Sequence, residues 1–310
     1  MKSILFISSL TLSSLLFAQS GITPIPKTLS YNTDQAELGK KLFQDPILSH
    51  NGTISCASCH HLKTNGADSI QYSFGIDGKE TDYNTPTVFN SIFNFVQFYD
   101  GRAKDLKEET VMGLEKKNHM GANIDEIIKK LKNSPYKEEF DKVFKEEGLK
   151  KETFLRAIVE FEKALITPNS KFDIYLRGDT TVLNDKEKRG YKEFQESGCI
   201  NCHNGVNIGS NMYQKMGMFA PYSSDKHTFG RFDVTKRDRD KNVYKVPSLR
   251  NIADTAPYFH DGSVKTLKDA VEKMYEYQLG TKPTTKQVDD IVAFLKTLSA
   301  PKPKILEDKK

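Results

Sequence analysis

The 310-residue chain is long enough for one large domain or two ordinary ones, and 37% hydrophobic residues supply material for a core. Lysine and arginine total 46 against 41 acidic residues, and the resulting +5 is too weak and too dispersed to mark a nucleic-acid partner. There is no tryptophan, and the 4 cysteines fall in two tight pairs.

The chain opens Met1-Lys2-Ser3, is apolar over residues 4–17 and reaches Ala18-Gln19-Ser20. A charged start, a short apolar run and a small residue at its end predict a secretory signal over residues 1–18, cleaved after Ala18. The run is shorter than the roughly 20 residues a membrane-spanning helix needs, and no other stretch is apolar enough to span. The expected mature protein is exported and soluble, with a bacterial periplasm as its destination.

A leading helix is expected from an N-cap at Thr33 and carries Gly39-Lys40-Lys41-Leu42-Phe43-Gln44. Cys56-Ala57-Ser58-Cys59-His60 follows, and Cys199-Ile200-Asn201-Cys202-His203 repeats the pattern in the second half. C-x-x-C-H is the attachment signature of c-type haem. Two thiols at that spacing add to the two vinyl groups of one porphyrin, and the adjacent histidine lies under the iron as proximal ligand. Disulfides, a redox dithiol or a four-thiolate zinc site would use the cysteines but would not need a histidine after both pairs.

Two amphipathic helices are expected over residues 124–131 and 138–144, then a closing helix with Phe154, Ile158, Phe161 and Leu165 on one face. Pro168 stops it, and a linker is expected over residues 167–171. The second half runs the same course. Asn184 caps a helix, with Glu187 in capping-box position, and Val288, Ile291, Phe294 and Leu298 line a closing helix before Pro301.

The halves are internally related. Gly39…Gln44 reappears as Gly190-Tyr191-Lys192-Glu193-Phe194-Gln195. Pro86…Asn90…Asp100-Gly101…Leu106-Lys107 reappears as Pro247…Asn251…Asp261-Gly262…Leu267-Lys268, and the block from Ile158 to Leu165 as that from Ile291 to Leu298. Blocks repeating in one order argue duplication. The expected fold is mainly α: two cytochrome c-like haem domains, residues 19–166 and 167–310.

A haem held by histidine alone is open to a small ligand, whereas one held by histidine and methionine is closed and moves electrons. In the second half Met212, Met216, Met218 and Met274 are candidates for that methionine, and Met274 lies after the Asp-Gly…Leu-Lys block, where the chain should fold over the distal face. The competing reading is a methionine filling space in the core.

The run Thr85-Pro86-Thr87-Val88-Phe89-Asn90…Gln97-Phe98-Tyr99-Asp100-Gly101-Arg102-Ala103 resembles the bacterial dihaem cytochrome c peroxidases, as do Val246-Pro247-Ser248-Leu249-Arg250-Asn251 and Thr255-Ala256-Pro257-Tyr258-Phe259-His260. The resemblance covers nearly the whole mature chain, in a superfamily that also holds enzymes using peroxide to modify a protein. It implies peroxide reduction at the N-terminal haem (Cys56, Cys59, His60), with electrons entering at the C-terminal haem (Cys199, Cys202, His203, Met274) from a small c-type cytochrome or cupredoxin. It also implies a calcium ion held by the Asn84 side chain and the carbonyls of Thr255 and Pro257, all oxygen donors. Homodimers are common in the family; no residue of this chain bears on that.

The chain also departs from its family. Where many members carry a displaceable histidine in a Gly-His-Gly loop, it has Gly75-Ile76-Asp77-Gly78. Isoleucine cannot bind iron, so the oxidised enzyme is expected to have an open site. The family's distal glutamate becomes His119, its nearby glutamine Glu109, and the tryptophan between the haems Tyr99. His119 can be read as acid–base catalyst, as an iron ligand, or as a surface residue after Lys116-Lys117-Asn118. Glu109 either orients His119 or sits on a helix surface, Tyr99 either relays electrons or packs, and His260 is a candidate bond to a haem propionate. His50 and His227 are expected in solvent. A dihaem electron carrier and a peroxide-driven oxidase of another protein stay open beside the peroxidase reading.

Overall fold

A computed structural model of the chain describes residues 21–226 and 228–307. The expected signal segment and His227 lie outside the described residues. Five helices build the first half: α1 (Thr33–Gln44), α2 (Leu106–Glu115), α3 (Ile124–Lys132), α4 (Tyr136–Phe144) and α5 (Lys151–Ala164). The second half contains α6 (Lys171–Leu176), α7 (Asp185–Glu196), α8 (Phe232–Thr235), α9 (Leu267–Met274) and α10 (Thr285–Lys296). The described sheet is one antiparallel pair, β1 (Tyr213–Lys215) and β2 (Val243–Lys245), with Tyr213 opposite Lys245. Among the described residues no helix is long and apolar enough to cross a membrane.

The cap of α1 is Asn32, whose side chain accepts from the Gln35 N–H at 3.0 Å, and not Thr33, which begins the helix. Asparagine ranks above threonine at an N-cap. At α7 the expected capping box forms, with Asn184 and Glu187 exchanging hydrogen bonds of 2.9 and 2.8 Å.

The repeated glycines lie where helices cross. A β-carbon on Gly39 would overlap the carbonyl oxygen of Ala157, and one on Gly190 would overlap that of Asp290. Thus α1 lies against α5, and α7 against α10, at a distance no larger residue permits. Phe154, Ile158 and Phe161 on α5, and Ile291 and Phe294 on α10, are buried beside these crossings.

The repeated asparagines join the halves. Asn90 and Asn251 both adopt left-handed backbone conformations, at φ 63° and 59°. Their amide nitrogens donate to one atom, the Thr167 hydroxyl, at 2.7 and 3.1 Å, and the Asn90 side-chain oxygen accepts from the Thr167 N–H at 2.8 Å. Thr167 opens the segment leading into α6, so both copies of the repeat are tied to the connection between them.

The two ends of the described chain cross over. Ile22 is buried in the core of the second half, and Ile25 N–H donates to Asp173, which forms a fully buried 2.8 Å ion pair with Arg250. In the other direction Ile305 is buried against Ala36, Phe43 and Phe161, and Lys40 holds its carbonyl at 2.7 Å.

Candidate active site and haem cavities

Each C-x-x-C-H sequence forms a tight turn of 3-10 helix, residues Cys56–Ser58 and Cys199–Asn201, placing both sulfurs and the histidine on one cavity. The first cavity, about 180 Å3, is lined by Cys56, Cys59 and His60; the second, about 260 Å3, by Cys199, Cys202 and His203. None of the four cysteines is in a disulfide. With the pairs in separate cavities, a zinc site built from all four thiolates is excluded.

Second-sphere geometry fits an iron ligand in both places. His60 Nδ1 lies 3.1 Å from the Gly66 carbonyl, and His203 Nδ1 lies 3.3 Å from that of Ile208. A ring that donates from Nδ1 presents a neutral Nε2 to a metal. Burial lowers the pKa of both rings, to about 4 for His203, which keeps the nitrogen unprotonated. The carbonyls of Pro86 and Pro247, equivalent residues of the repeat, are the second backbone groups acting on His60 and His203. The chemistry of these donor sets fits two c-type haems.

The first cavity is also lined by His119, Glu109, Arg102, Met120 and Glu162. Burial lowers His119 to about 4, helped by the Lys116 and Arg102 charges, and neither ring nitrogen is hydrogen-bonded among the described residues. Burial raises Glu109 to about 7, against the pull of Arg102. Glu162 is pushed well above the usual carboxylate range by burial and then by the Glu109 charge, and its Oε2 has no hydrogen-bond partner. Arg102 is fixed by Asp100 at 2.8 Å and lies 3.5 Å over the Phe98 ring. Glu109 and His119 share the cavity, but no direct hydrogen bond joins them among the described residues.

Ile76 is buried, donates its N–H to the His119 carbonyl at 2.8 Å and packs its side chain on Gly121. It is absent from the cavity wall, and the loop that carries it is bound to the loop that carries His119.

Met274 and Met216 line the second cavity together with His203, whereas Met218 is half exposed. Met274 ends α9 where the helix widens into a π-turn over Tyr275–Leu279, a deformation frequent at functional sites. His260 lines this cavity too, stacked on Tyr244 at 4.1 Å with a buried Nε2 that has no partner. Asn84, Thr255 and Pro257 lie along the same cavity. The Asn84 amide nitrogen donates to the carbonyls of Ile70 and Gln71 at 2.9 and 3.2 Å, which leaves its oxygen as the available donor. Tyr99 lines both cavities, and its carbonyl accepts from Lys245 N–H at 2.7 Å. His61 is on the outside, bonded to the Ser58 carbonyl, and His50 is exposed near Glu126.

Glu162, Arg102 and Lys245 are the cavity residues that sequence reasoning missed. The repeat held a signal for the first: it aligns Glu162 with Leu295, which lines the second cavity, so a carboxyl stands where the duplicate has a hydrocarbon.

The family model described as di-haem cytochrome c peroxidase matches residues 33–181, and that described as cytochrome c matches residues 187–299. The chain is 46% identical to cytochrome c551 peroxidase of Nitrosomonas europaea, across 97% of this chain and 93% of the relative. It is 41% identical to cytochrome c551 peroxidase of Pseudomonas aeruginosa, across 91% and 85%. The crystal structure of a MauG-like protein associated with microbial copper homeostasis superposes with a TM-score of 0.77 at 26% identity, covering 90% of this chain and 93% of that one. Paired haem cavities of unlike walls, in a mostly helical duplicated chain with relatives at this identity, place the protein in the di-haem cytochrome c peroxidase family.

Proposed function

We propose that the chain reduces hydrogen peroxide to water in the N-terminal cavity with electrons taken, one at a time, from a small c-type cytochrome or cupredoxin docked beside the C-terminal cavity. Bound in the two cavities, haem c supplies the iron on which peroxide is cleaved and the store of electrons. The protein's task is proton handling: two electrons and two protons turn one peroxide into two waters.

The observation that carries this reading is the meeting of His119, Glu109 and Arg102 in one cavity, where burial favours the neutral imidazole and raises the carboxyl. His119, held neutral, accepts the proton from the near peroxide oxygen. Glu109, raised by burial to about 7, keeps a proton below that pH to give toward the departing oxygen. Arg102 at the cavity wall favours negative charge developing there. In the other cavity Met274 is assigned as distal ligand and His260 Nε2 as donor to a propionate. Tyr99, on both walls, lies on the route between the haems. Calcium held by Asn84, Thr255 and Pro257 belongs to the same reading, as do export to the periplasm and homodimer formation.

Steady-state peroxide turnover with a reduced c-type cytochrome, wild type beside His119→Ala, tests the assignment. The expected result is a loss of about 10²–10⁴-fold in kcat/KM with both haems retained. Equal rates would remove His119 from the chemistry.

A further inference from the structure

Lys245 ends β2 and is buried, with 7% of its surface exposed. It lines both cavities. Its backbone N–H is fixed to the Tyr99 carbonyl, so the side chain starts from the boundary between the two haem sites. No carboxylate pairs with its ammonium among the described residues, and burial alone, unopposed by any acidic neighbour, lowers its pKa to about 8. A buried lysine with no counterion is a costly arrangement in a folded chain.

The repeat adds a second observation. Asn84-Thr85-Pro86 aligns with Lys245-Val246-Pro247, so Lys245 occupies in the second half the place that Asn84 occupies in the first. Both side chains line both cavities. One of this equivalent pair is a neutral amide whose nitrogen is committed to the Ile70 and Gln71 carbonyls, and the other is a cation with no commitment. The cation is therefore a feature of this one position and not of the framework.

We propose that Lys245 is the counterion of a haem propionate at the wall shared by the two cavities, and that its charge raises the reduction potential of the haem it holds. The inference rests on the two-haem reading above. A propionate is a carboxylate that arrives with the cofactor and is fixed with it, which supplies what the protein omits. A compact ammonium suits a single carboxylate as a point charge. Replacing the lysine by a neutral residue leaves that carboxylate uncompensated beside the iron, which favours the oxidised form.

The test is a spectroscopic redox titration of the holoprotein, following each haem by its own absorption, in wild type, Lys245→Met and Lys245→Arg. Haem count on wild type checks the two-haem reading by itself: two per chain is expected, and one or none removes the basis of the proposal. With two bound, Lys245→Met should lower one midpoint by about tenfold in the reduced-to-oxidised ratio, about 59 mV for a one-electron couple. The haem that shifts identifies the propionate held, and Lys245→Arg, which keeps the charge, should shift it far less. Both midpoints unmoved in a fully loaded Lys245→Met would overturn the proposal. If Lys245→Met takes up less haem, Lys245→Arg decides: restored loading supports a charge requirement, and equal loss assigns Lys245 to packing and overturns it.

Discussion

His119 occupies a cavity whose walls withhold water and add positive charge, and both effects favour the neutral imidazole. Glu109 is subject to the same burial with the opposite result, because for a carboxyl the neutral form is the protonated one. The two pKa shifts set a window. As pH falls through about 4, His119 gains a proton and can no longer accept one; as pH rises through about 7, Glu109 loses the proton it would give. The expected kcat/KM profile is therefore bell-shaped, measured with peroxide at constant ionic strength. Glu109→Gln should lower the rate at every pH and abolish the alkaline limb while the acid limb persists, since an amide has no proton to transfer and none to lose in this range. An alkaline limb unchanged in Glu109→Gln would assign it to another group. At this scale the sequence was legible where chemistry imposes a spacing, as in the two C-x-x-C-H motifs, and where a family position had changed, as at His119 and Glu109. Glu162 escaped notice because a glutamate on a helix is normally solvated, and only the packing of α5 against the cavity makes it internal.

Helix pairs set the shape of each cavity, and the closest approach in each pair depends on a missing side chain. Gly39→Ala or Gly190→Ala must push α1 from α5, or α7 from α10, and should cost about 1–3 kcal/mol as overpacking does. Denaturant unfolding of the holoprotein measures it; an unchanged midpoint would show that the crossings relax freely. Thr167→Val keeps the shape of the side chain but removes the acceptor shared by Asn90 and Asn251. About 1–3 kcal/mol of destabilisation is expected from two buried amides left without that partner, again read by denaturant unfolding. Long elements were legible from apolar spacing: the helices expected over residues 124–131 and 138–144 appear as Ile124–Lys132 and Tyr136–Phe144. The roles of the repeated glycines and asparagines were not, because a repeat shows that residues correspond and says nothing of what they touch. The cap at Asn32 was missed by one residue, since Asn32 and Thr33 both qualify as N-caps.

Across the whole molecule the duplicated halves are built alike and equipped differently. The framework is shared: proximal histidines bonded to backbone carbonyls, proline carbonyls beside them, paired helices, and asparagines meeting on Thr167. The distal walls are not. The first cavity has an imidazole, two carboxyls and an arginine, and the second has two methionines and His260 among hydrocarbon, with Lys245 on both. The crossing of the chain ends, Ile22 into the second half and Ile305 into the first, could not be read from sequence, because both are isolated apolar residues in short terminal segments. Ile76, removed from the cavity wall and bound to the His119 loop, leaves the first haem with no distal histidine from that loop to displace. Unlike distal walls therefore predict unlike irons before any electron is added. Electron paramagnetic resonance of the air-oxidised, fully loaded protein reads this directly. One high-spin and one low-spin ferric signal in equal amounts are expected; two low-spin signals would mean that both irons are closed, and that the chain is an electron carrier whose first haem has no room for peroxide.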